Sequence, residues 1–456
     1  MSIPINQQIS QFQAQQIKKM NNYFDGLPVS KSHLFLFILI VASYFFEQMD
    51  NNNFAFIAPA LVKSGFTTQA SIATITSTYF LGMTLGGFLG GIISDLIGRR
   101  KTFLLAMLIF SSMSILNGIT NDFGVFVFAR AATGFGIFMM MVTSIAYIAE
   151  MSPGESRGKW QSLTAAGGFC AMPIIGIISR AVIPTAPEAW RYIFFLGGLG
   201  FITFIIGLKY LKESPRWLVS KGRVADAEEV IKGLSGVDVD LTETAKNTPP
   251  KVNAMEQFIG MFSGKYLKRT LTLLAIGIPL NVGGFVLTVW IPTLANMRGF
   301  TLEESLSIGI AFMFGGPVGL ALSSPFSDKG GRKIPIAILL VVLAGLAMVY
   351  ANLGKDYYIT MFVAFLLNAV NMGLAFIAMA YVPEHYPTKM RNTAVGIINA
   401  FQRLGVSGSQ LLIPLVVAGY GFKTLFLAIA ALFVFSGLVA LFLGQRTGGI
   451  PLEQIE

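Results

Sequence analysis

Four formal charges stand inside long apolar stretches of this chain: Glu47, Asp50, Arg130 and Arg403. On insertion scales an ionisable group at bilayer depth costs about 2.5–3.5 kcal/mol, so each of the four calls for a function or a partner. Glu47 and Asp50 are three residues apart and share a helix face, which Asn51 and Phe54 extend. Two carboxylates close together at low dielectric do not both stay ionised. One then takes up and releases a proton, and Arg130 is placed to hold the other ionised. A structural ion pair buried between helices is the competing reading. Asn399, Arg403 and Ser407 are spaced by four, and Gln410 follows three later. Such a stripe cannot face lipid and must line a cavity, where an arginine offers a rigid fork for a carboxylate. Asn368 and Asn371 form a shorter polar face, as do Asn281 and Thr288 near Trp290. Trp290 reads equally as a ring-holding wall and as an interfacial anchor.

The elements that must position these groups are membrane helices. The chain has 456 residues, 54% hydrophobic and 12% charged, where a soluble domain carries about 25% charge. Twelve apolar stretches are long enough to cross a bilayer, near 34–61, 71–93, 101–120, 123–149, 159–183, 191–211, 270–296, 302–326, 334–353, 357–382, 392–418 and 423–444. The first thirty residues are polar and Gln/Asn-rich, with no apolar core of a cleaved signal. The expected organisation is a tail (1–33), a six-helix unit (34–211), a polar central loop (212–269), a second six-helix unit (270–444) and a tail (445–456). In the central loop Val224, Ala227, Val230, Ile231 and Leu234 recur at helical spacing, and Pro249-Pro250 then breaks the chain.

The net charge of +10 does not mark a nucleic-acid surface. Twenty-five Lys and Arg fall in the tails and the even-numbered connections, six on the opposite side, and two inside spans. Basic excess on one side makes that side cytoplasmic, which places both termini there. The lone Cys170 allows no disulfide and no thiol cluster and reads as a buried small hydrophobe. His33 and His385 fall at span ends and read as incidental. No nucleophile–base constellation or metal cluster appears, which argues against an enzyme and against a cofactor.

Two loop blocks recur. Gly91-Ile92-Ile93-Ser94-Asp95-Leu96-Ile97-Gly98-Arg99-Arg100 returns as Ser324-Pro325-Phe326-Ser327-Asp328-Lys329-Gly330-Gly331-Arg332-Lys333, offset by 233. Tyr147-Ile148-Ala149-Glu150 with Pro153 and Arg157 returns as Tyr381-Val382-Pro383-Glu384 with Pro387 and Arg391, offset by 234. Glycine at 98 and 331 supplies backbone freedom for a tight loop. Asp95 and Asp328 can face the following bases, and Glu150 with Arg157, or Glu384 with Arg391, repeats that chemistry. Contacts of this kind bridge helices in one state and break in another. Arg130 has no such partner: its counterpart is Ala364. Gly82, Gly86 and Gly90 line one face of the second span, where a neighbouring backbone can approach closely.

The doubled loop signature, the twelve spans and the central cytoplasmic loop resemble the major facilitator superfamily. The resemblance implies an all-α membrane protein with two pseudo-symmetric six-helix bundles and alternating access between them. Leu27-Pro28-Val29-Ser30-Lys31-Ser32-His33, Glu47-Gln48-Met49-Asp50 and Ile57-Ala58-Pro59-Ala60-Leu61 resemble the bacterial aromatic-acid:proton symporters and niacin transporters, as does Arg391 through Arg403-Leu404-Gly405. That branch implicates the two acids in proton coupling and the arginine in holding an acid substrate. Here Glu47 stands for the usual Asp and Gln48 for the common Gly. Glu213-Ser214-Pro215-Arg216-Trp217-Leu218 is shared with sugar porters, but Asn281-Val282-Gly283-Gly284 lacks their paired Gln. The expectation is a monomeric, bacterial-type inner-membrane symporter that imports a small organic acid, aromatic in the resembled branch, with protons. Sugar symport, drug/proton antiport and a non-transporting nutrient sensor are the alternatives.

Overall fold

A computed structural model describes residues 30–152, 157–242, 254–323, 332–386 and 388–447, and the regular elements among them are helical. Most of both tails, the Pro249-Pro250 break, Asp328 and Gly331 lie outside the described residues, as does the side chain of Arg157. The crossing helices are α1 (Lys31–Lys63), α2 (Gln69–Ile97), α3 (Arg99–Ile119), α4 (Phe123–Met151) and α5 (Arg157–Val182). Next comes α6, in two pieces (Trp190–Gly198 and Gly200–Tyr210), and then α7 (Gly264–Met297), α8 (Leu302–Ser323), α9 (Lys333–Asn352) and α10 (Tyr357–Tyr381). The last run, Thr388–Leu443, turns at Gly421 (φ 83°, ψ 170°), which divides it into α11 (388–420) and α12 (422–443). The described residues thus contain twelve membrane-crossing helices. Several run a turn or more beyond the apolar stretches, α7 most of all, because polar flanks continue the helix.

Matching local chemistry starts matching helices. Asp122 caps α4 by accepting from the Val125 N–H at 2.7 Å, and Asp356 caps α10 from Ile359 at 2.9 Å. The glycines at 82, 86 and 90 do set a close crossing. A Cβ at Gly82 would lie 2.0 Å from the Ala131 carbonyl oxygen, and one at Gly86 2.1 Å from that of Phe135. The second half repeats this between α8 and α10, with Gly315 on Phe365 (2.2 Å) and Gly319 on Ala369 (1.8 Å). These contacts are backbone to backbone, so no rotamer change can make room for a side chain.

The halves meet where α2 packs on α11, α5 on α8, and α1 on α7. The first two pairings are the same pairing under the repeat. On the basic face lie short helices Pro215–Ser220, Val224–Ser235 and Ala254–Met261. The helical reading of the central loop holds: Ala227, Ile231 and Leu234 are the buried face of Val224–Ser235. Three other expectations need correction. His33 and His385 are both buried, each donating a ring N–H to a backbone carbonyl, that of Met151 and that of Tyr381. Cys170, read as buried, is exposed on α5.

Candidate transport site

Asp50 and Arg130 meet inside the first half. α1, α3, α4 and α6 enclose them, and neither is more than 1% exposed. Asp50 Oδ1 accepts from Asn53 at 2.8 Å and lies 2.5 Å from the Ser114 hydroxyl. Its Oδ2 stands 3.7 Å from Arg130 Nη1. Space for the carboxylate exists because residue 197 is glycine: a Cβ there would sit 2.4 Å from Oδ1. Around the guanidinium are the rings of Tyr79 (4.4 Å to centroid), Phe54 (5.1 Å) and Phe194 (5.6 Å), whose faces attract a cation. Arg130 Nε and Nη1 and Asp50 Oδ2 have no hydrogen-bond partner among the described residues. The pair is enclosed but loose.

Glu47 lies within electrostatic reach of Asp50, as the spacing expected, but makes its own hydrogen bond. Its Oε2 accepts from Gln48 at 3.1 Å, while Oε1 is buried without a hydrogen-bond partner. Within its electrostatic reach is Arg403 of α11, in the other half. Arg403 is partly exposed and lies at the seam between halves, 4.3 Å from the Phe285 ring of α7 and 4.9 Å from the Phe138 ring of α4. Its Nη1 also has no hydrogen-bond partner among the described residues. Tyr79 stands between the two acid–base sets, in reach of all four charges, and donates to Asn51 Oδ1 at 2.6 Å.

The amides of the second half form a different centre. Asn281 donates to Gln402 Oε1 (3.2 Å), Asn368 to the Phe312 carbonyl (2.7 Å), and Asn371 fills the space over Gly284. The stripe on α11 divides its work instead of lining one cavity. Asn399 bonds its own helix at Val395, and Ser407 donates to the Ser77 carbonyl of α2 (2.8 Å). Gln410 accepts from Trp290 Nε1 (2.7 Å). Trp290 is 1% exposed and therefore no interfacial anchor, and Thr288 is turned to its own backbone at Gly284.

At the basic face Asp95 meets the following Arg99 as expected, the two repeated blocks also join each other, and Arg391 turns from Glu384 to a backbone carbonyl. Arg99 forks onto both Glu150 oxygens (3.0 and 3.1 Å) and reaches Asp95 (2.7 Å). In the second half Arg332 takes Glu384 (2.7 Å), while Arg391 donates to the Pro383 carbonyl (3.1 Å). Tyr147 donates to the Lys212 carbonyl, and its counterpart Tyr381 to that of Gln445. Lys333 caps the end of α12 at Leu441 and Gly444 (both 3.1 Å), where Arg100 holds the Leu208 carbonyl of α6 (2.5 Å). Sequence reading gave no role to Glu213, Ser214 and Trp217, yet they complete the first latch. Glu213 Oε1 accepts from the N–H groups of Arg99, Ser214 and Arg100 (2.8, 2.9 and 3.1 Å). Burial pushes its carboxyl above the usual range, against the pull of those donors. A Cβ at Gly98 (φ 102°) would lie 2.2 Å from Glu213 Oε2, which adds a steric reason for that glycine to its backbone one. Ser214 reaches Glu150 (2.5 Å), and the Trp217 indole donates to the Asp95 carbonyl (3.0 Å).

At the opposite face the halves lock together. Phe56 fills the space over Gly176 of α5 and Gly309 of α8, and Arg180 Nε donates to Ser307 (2.6 Å). None of Phe56, Arg180 or Ser307 was singled out by spacing, because each acts across the halves.

The profile of the Major Facilitator Superfamily matches residues 40–409 and 322–453. The chain belongs to that superfamily. It is 31% identical to the putative metabolite transport protein YyaJ of Bacillus subtilis, over 93% of this chain and 95% of that one. It is 24% identical to the niacin transporter NiaP of Acinetobacter baylyi, over 94% and 98%. The partially occluded inward-open xylose transporter XylE of E. coli superposes with a TM-score of 0.73 at 18% identity, covering 92% of this chain and 100% of that one. As a member of that superfamily, the chain is a multi-pass transporter of small molecules and not an enzyme.

Proposed function

We propose that this transporter couples the uptake of a small aromatic carboxylate to protons, with Arg403 receiving the carboxylate and the Asp50–Glu47 region carrying the proton. Arg403 carries the reading: a cation at the seam of the halves, with an unpartnered Nη1 and one aromatic ring from each half beside it. A charged fork between two ring faces suits a flat acid. Asn281, Gln402 and Asn371 supply amides that can orient polar substituents. Asp50 and Arg130 lie outside that contact and act through the packing of the first half. The basic face is read as cytoplasmic, both termini with it, and the protein as a monomer. On that orientation the lock at Phe56 and Arg180 is a closed outer gate, and the Arg99 and Arg332 latches hold the inner ends within each half.

Reconstituted vesicles test the reading. Nicotinate and benzoate should accumulate when an inward proton gradient is imposed, and xylose should not. Arg403→Ala should abolish carboxylate uptake. Accumulation of xylose alone, or undiminished nicotinate affinity in Arg403→Ala, would overturn it.

A further inference from the structure

We infer that a cleft on the basic face of the first half binds a phosphate-bearing ligand, at a place that none of the mid-membrane charges lines. The start of α3, the end of α6 and the loop helix Val224–Ser235 enclose about 570 Å³. Small-molecule pockets span roughly 300–1,000 Å³. Five bases line the cleft: Arg100 and Lys101 on α3, Lys212 just after α6, and Arg223 and Lys232 at the two ends of the loop helix.

Three acids line it as well, and two of them are already engaged. Glu213 Oε1 is held by the backbone N–H groups of Arg99, Ser214 and Arg100, and Asp226 by Arg223 at 2.6 Å. Lys232 pairs outside the lining, with Asp238 at 2.8 Å. That leaves the side chains of Arg100, Lys101 and Lys212 against the one carboxylate of Glu229. None of the three has an ion-pair partner among the described residues. Arg100 Nη2 is fixed on the Leu208 carbonyl (2.5 Å), while its Nε is buried without a hydrogen-bond partner. Helix polarity sharpens the excess. Arg99, Arg100 and Lys101 open α3, where the outward N–H groups already attract anions. Basic residues anywhere on this face would set topology, so topology does not require five of them around one cleft. A phosphate group answers the set. It carries about −1.5 to −2 charge near neutral pH and three strong acceptor oxygens, enough for bases from several elements at once. Arg100 also gives its backbone N–H to Glu213, so a phosphate on its side chain ties the loop helix to the latch of the first half. With the basic face cytoplasmic, as proposed, the cleft opens to the compartment of phosphate esters. A soluble phosphate ester and a phospholipid headgroup offer the same chemistry.

The full-length protein in phosphatidylcholine nanodiscs is titrated calorimetrically with pyrophosphate and with ATP. Its melting temperature is measured with and without phosphatidic acid in the disc. Lys101→Ala with Lys212→Ala empties the cleft of two bases. Lys159→Ala with Lys268→Ala removes the same charge from the same face outside it. All four lysines are exposed, so both double variants should melt with the wild type. One equivalent of pyrophosphate or ATP should bind the wild type, about tenfold more weakly in the cleft variant and unchanged in the other, the effect of losing a charge-assisted hydrogen bond at an open site. A rise in melting temperature with phosphatidic acid, lost only in the cleft variant and without binding of either soluble probe, assigns the site to a headgroup and supports it equally. Equal weakening in both variants, binding that neither variant changes, or no response to any of the three probes overturns the inference.

Discussion

The two halves share a scaffold and differ at the centre. Gly82 on Ala131 and Gly86 on Phe135 are matched by Gly315 on Phe365 and Gly319 on Ala369. Arg99–Glu150 is matched by Arg332–Glu384, and Tyr147 by Tyr381. Midway along the helices the correspondence ends: Asp50 faces Gly284 in the repeat, and Arg130 faces Ala364. At mid-depth the first half holds the carboxylates Glu47 and Asp50 with Arg130, and the second holds amides with Arg403. Backbone crossings recur at matched positions in both halves, and so does an arginine–glutamate pair at the helix ends. The centres differ, and the proposed function assigns proton sensing to the first half and ligand orientation to the second.

The scaffold part of this comparison is broken most completely at the crossings. Gly86→Val and Gly319→Val each drive a side chain into a carbonyl oxygen of the facing helix. Both should lose more than about 3 kcal/mol, since the obstruction is backbone and not a movable side chain. Little monodisperse protein should survive purification in either case. Should one tolerate valine and the other not, the shared scaffold is not shared at that layer.

Next comes the centre. Asp50→Asn should abolish uphill nicotinate accumulation while leaving exchange of internal for external nicotinate. Removing one partner of a buried ion pair costs about 3–5 kcal/mol, so a thermal shift accompanies it. Asn371→Ala in the second half should leave the response to the proton gradient intact and weaken substrate affinity about fivefold, the value of one neutral hydrogen bond. Loss of the gradient response in Asn371→Ala would erase the division of labour.

How far the sequence reached follows the same line. Spans and loops were legible because apolar length and basic bias are local properties, and the twofold plan because matched blocks recur at fixed offset. Arg130 and Arg403 stood out as charges with no right to be in lipid. The pairings were not legible. Nothing in the spacing of Glu150 and Arg157 reveals that Arg99, from the other block, folds onto the acid. Glu213 reaches the start of α3 only after α6 has crossed the membrane. Glu47 and Asp50 sit at helical spacing, yet Glu47 bonds its neighbour Gln48 while Asp50 is held by Asn53 and Ser114. Phe56, Arg180 and Ser307 meet only when the halves close.

The latches give a smaller and graded effect. Arg99 engages two carboxylates and its loop is further tied through Glu213 and Trp217, whereas Arg332 is described with Glu384 and its helix is held through Lys333. Both arginines are about 15% exposed, so each ion pair is only partly screened. Arg99→Gln should slow nicotinate uptake about tenfold and Arg332→Gln about threefold, in the range of charge-assisted hydrogen bonds of about 1.5–3 kcal/mol discounted for exposure. Initial rates in vesicles rank them, and the reverse order would make the second half's latch the principal one.

A last contrast separates two aromatic residues that the repeat puts in register. Phe56 stands over Gly176, and Trp290, its counterpart, donates its indole N–H to Gln410, the counterpart of Gly176. In one half a ring fills the space over a glycine, and in the other a ring is tied by a hydrogen bond. Trp290→Phe keeps the ring and removes the donor. It leaves Gln410 Oε1 unpaired beside an Nε2 that already lacks a partner. The cost should be about 1–3 kcal/mol, because a stranded buried acceptor forfeits its solvation. Pairing the change with Gln410→Leu removes the stranded group, and the double variant should recover most of the lost thermal stability. If it recovers none, the Trp290 ring is held by packing alone, as Phe56 is, and the two positions differ in size but not in kind.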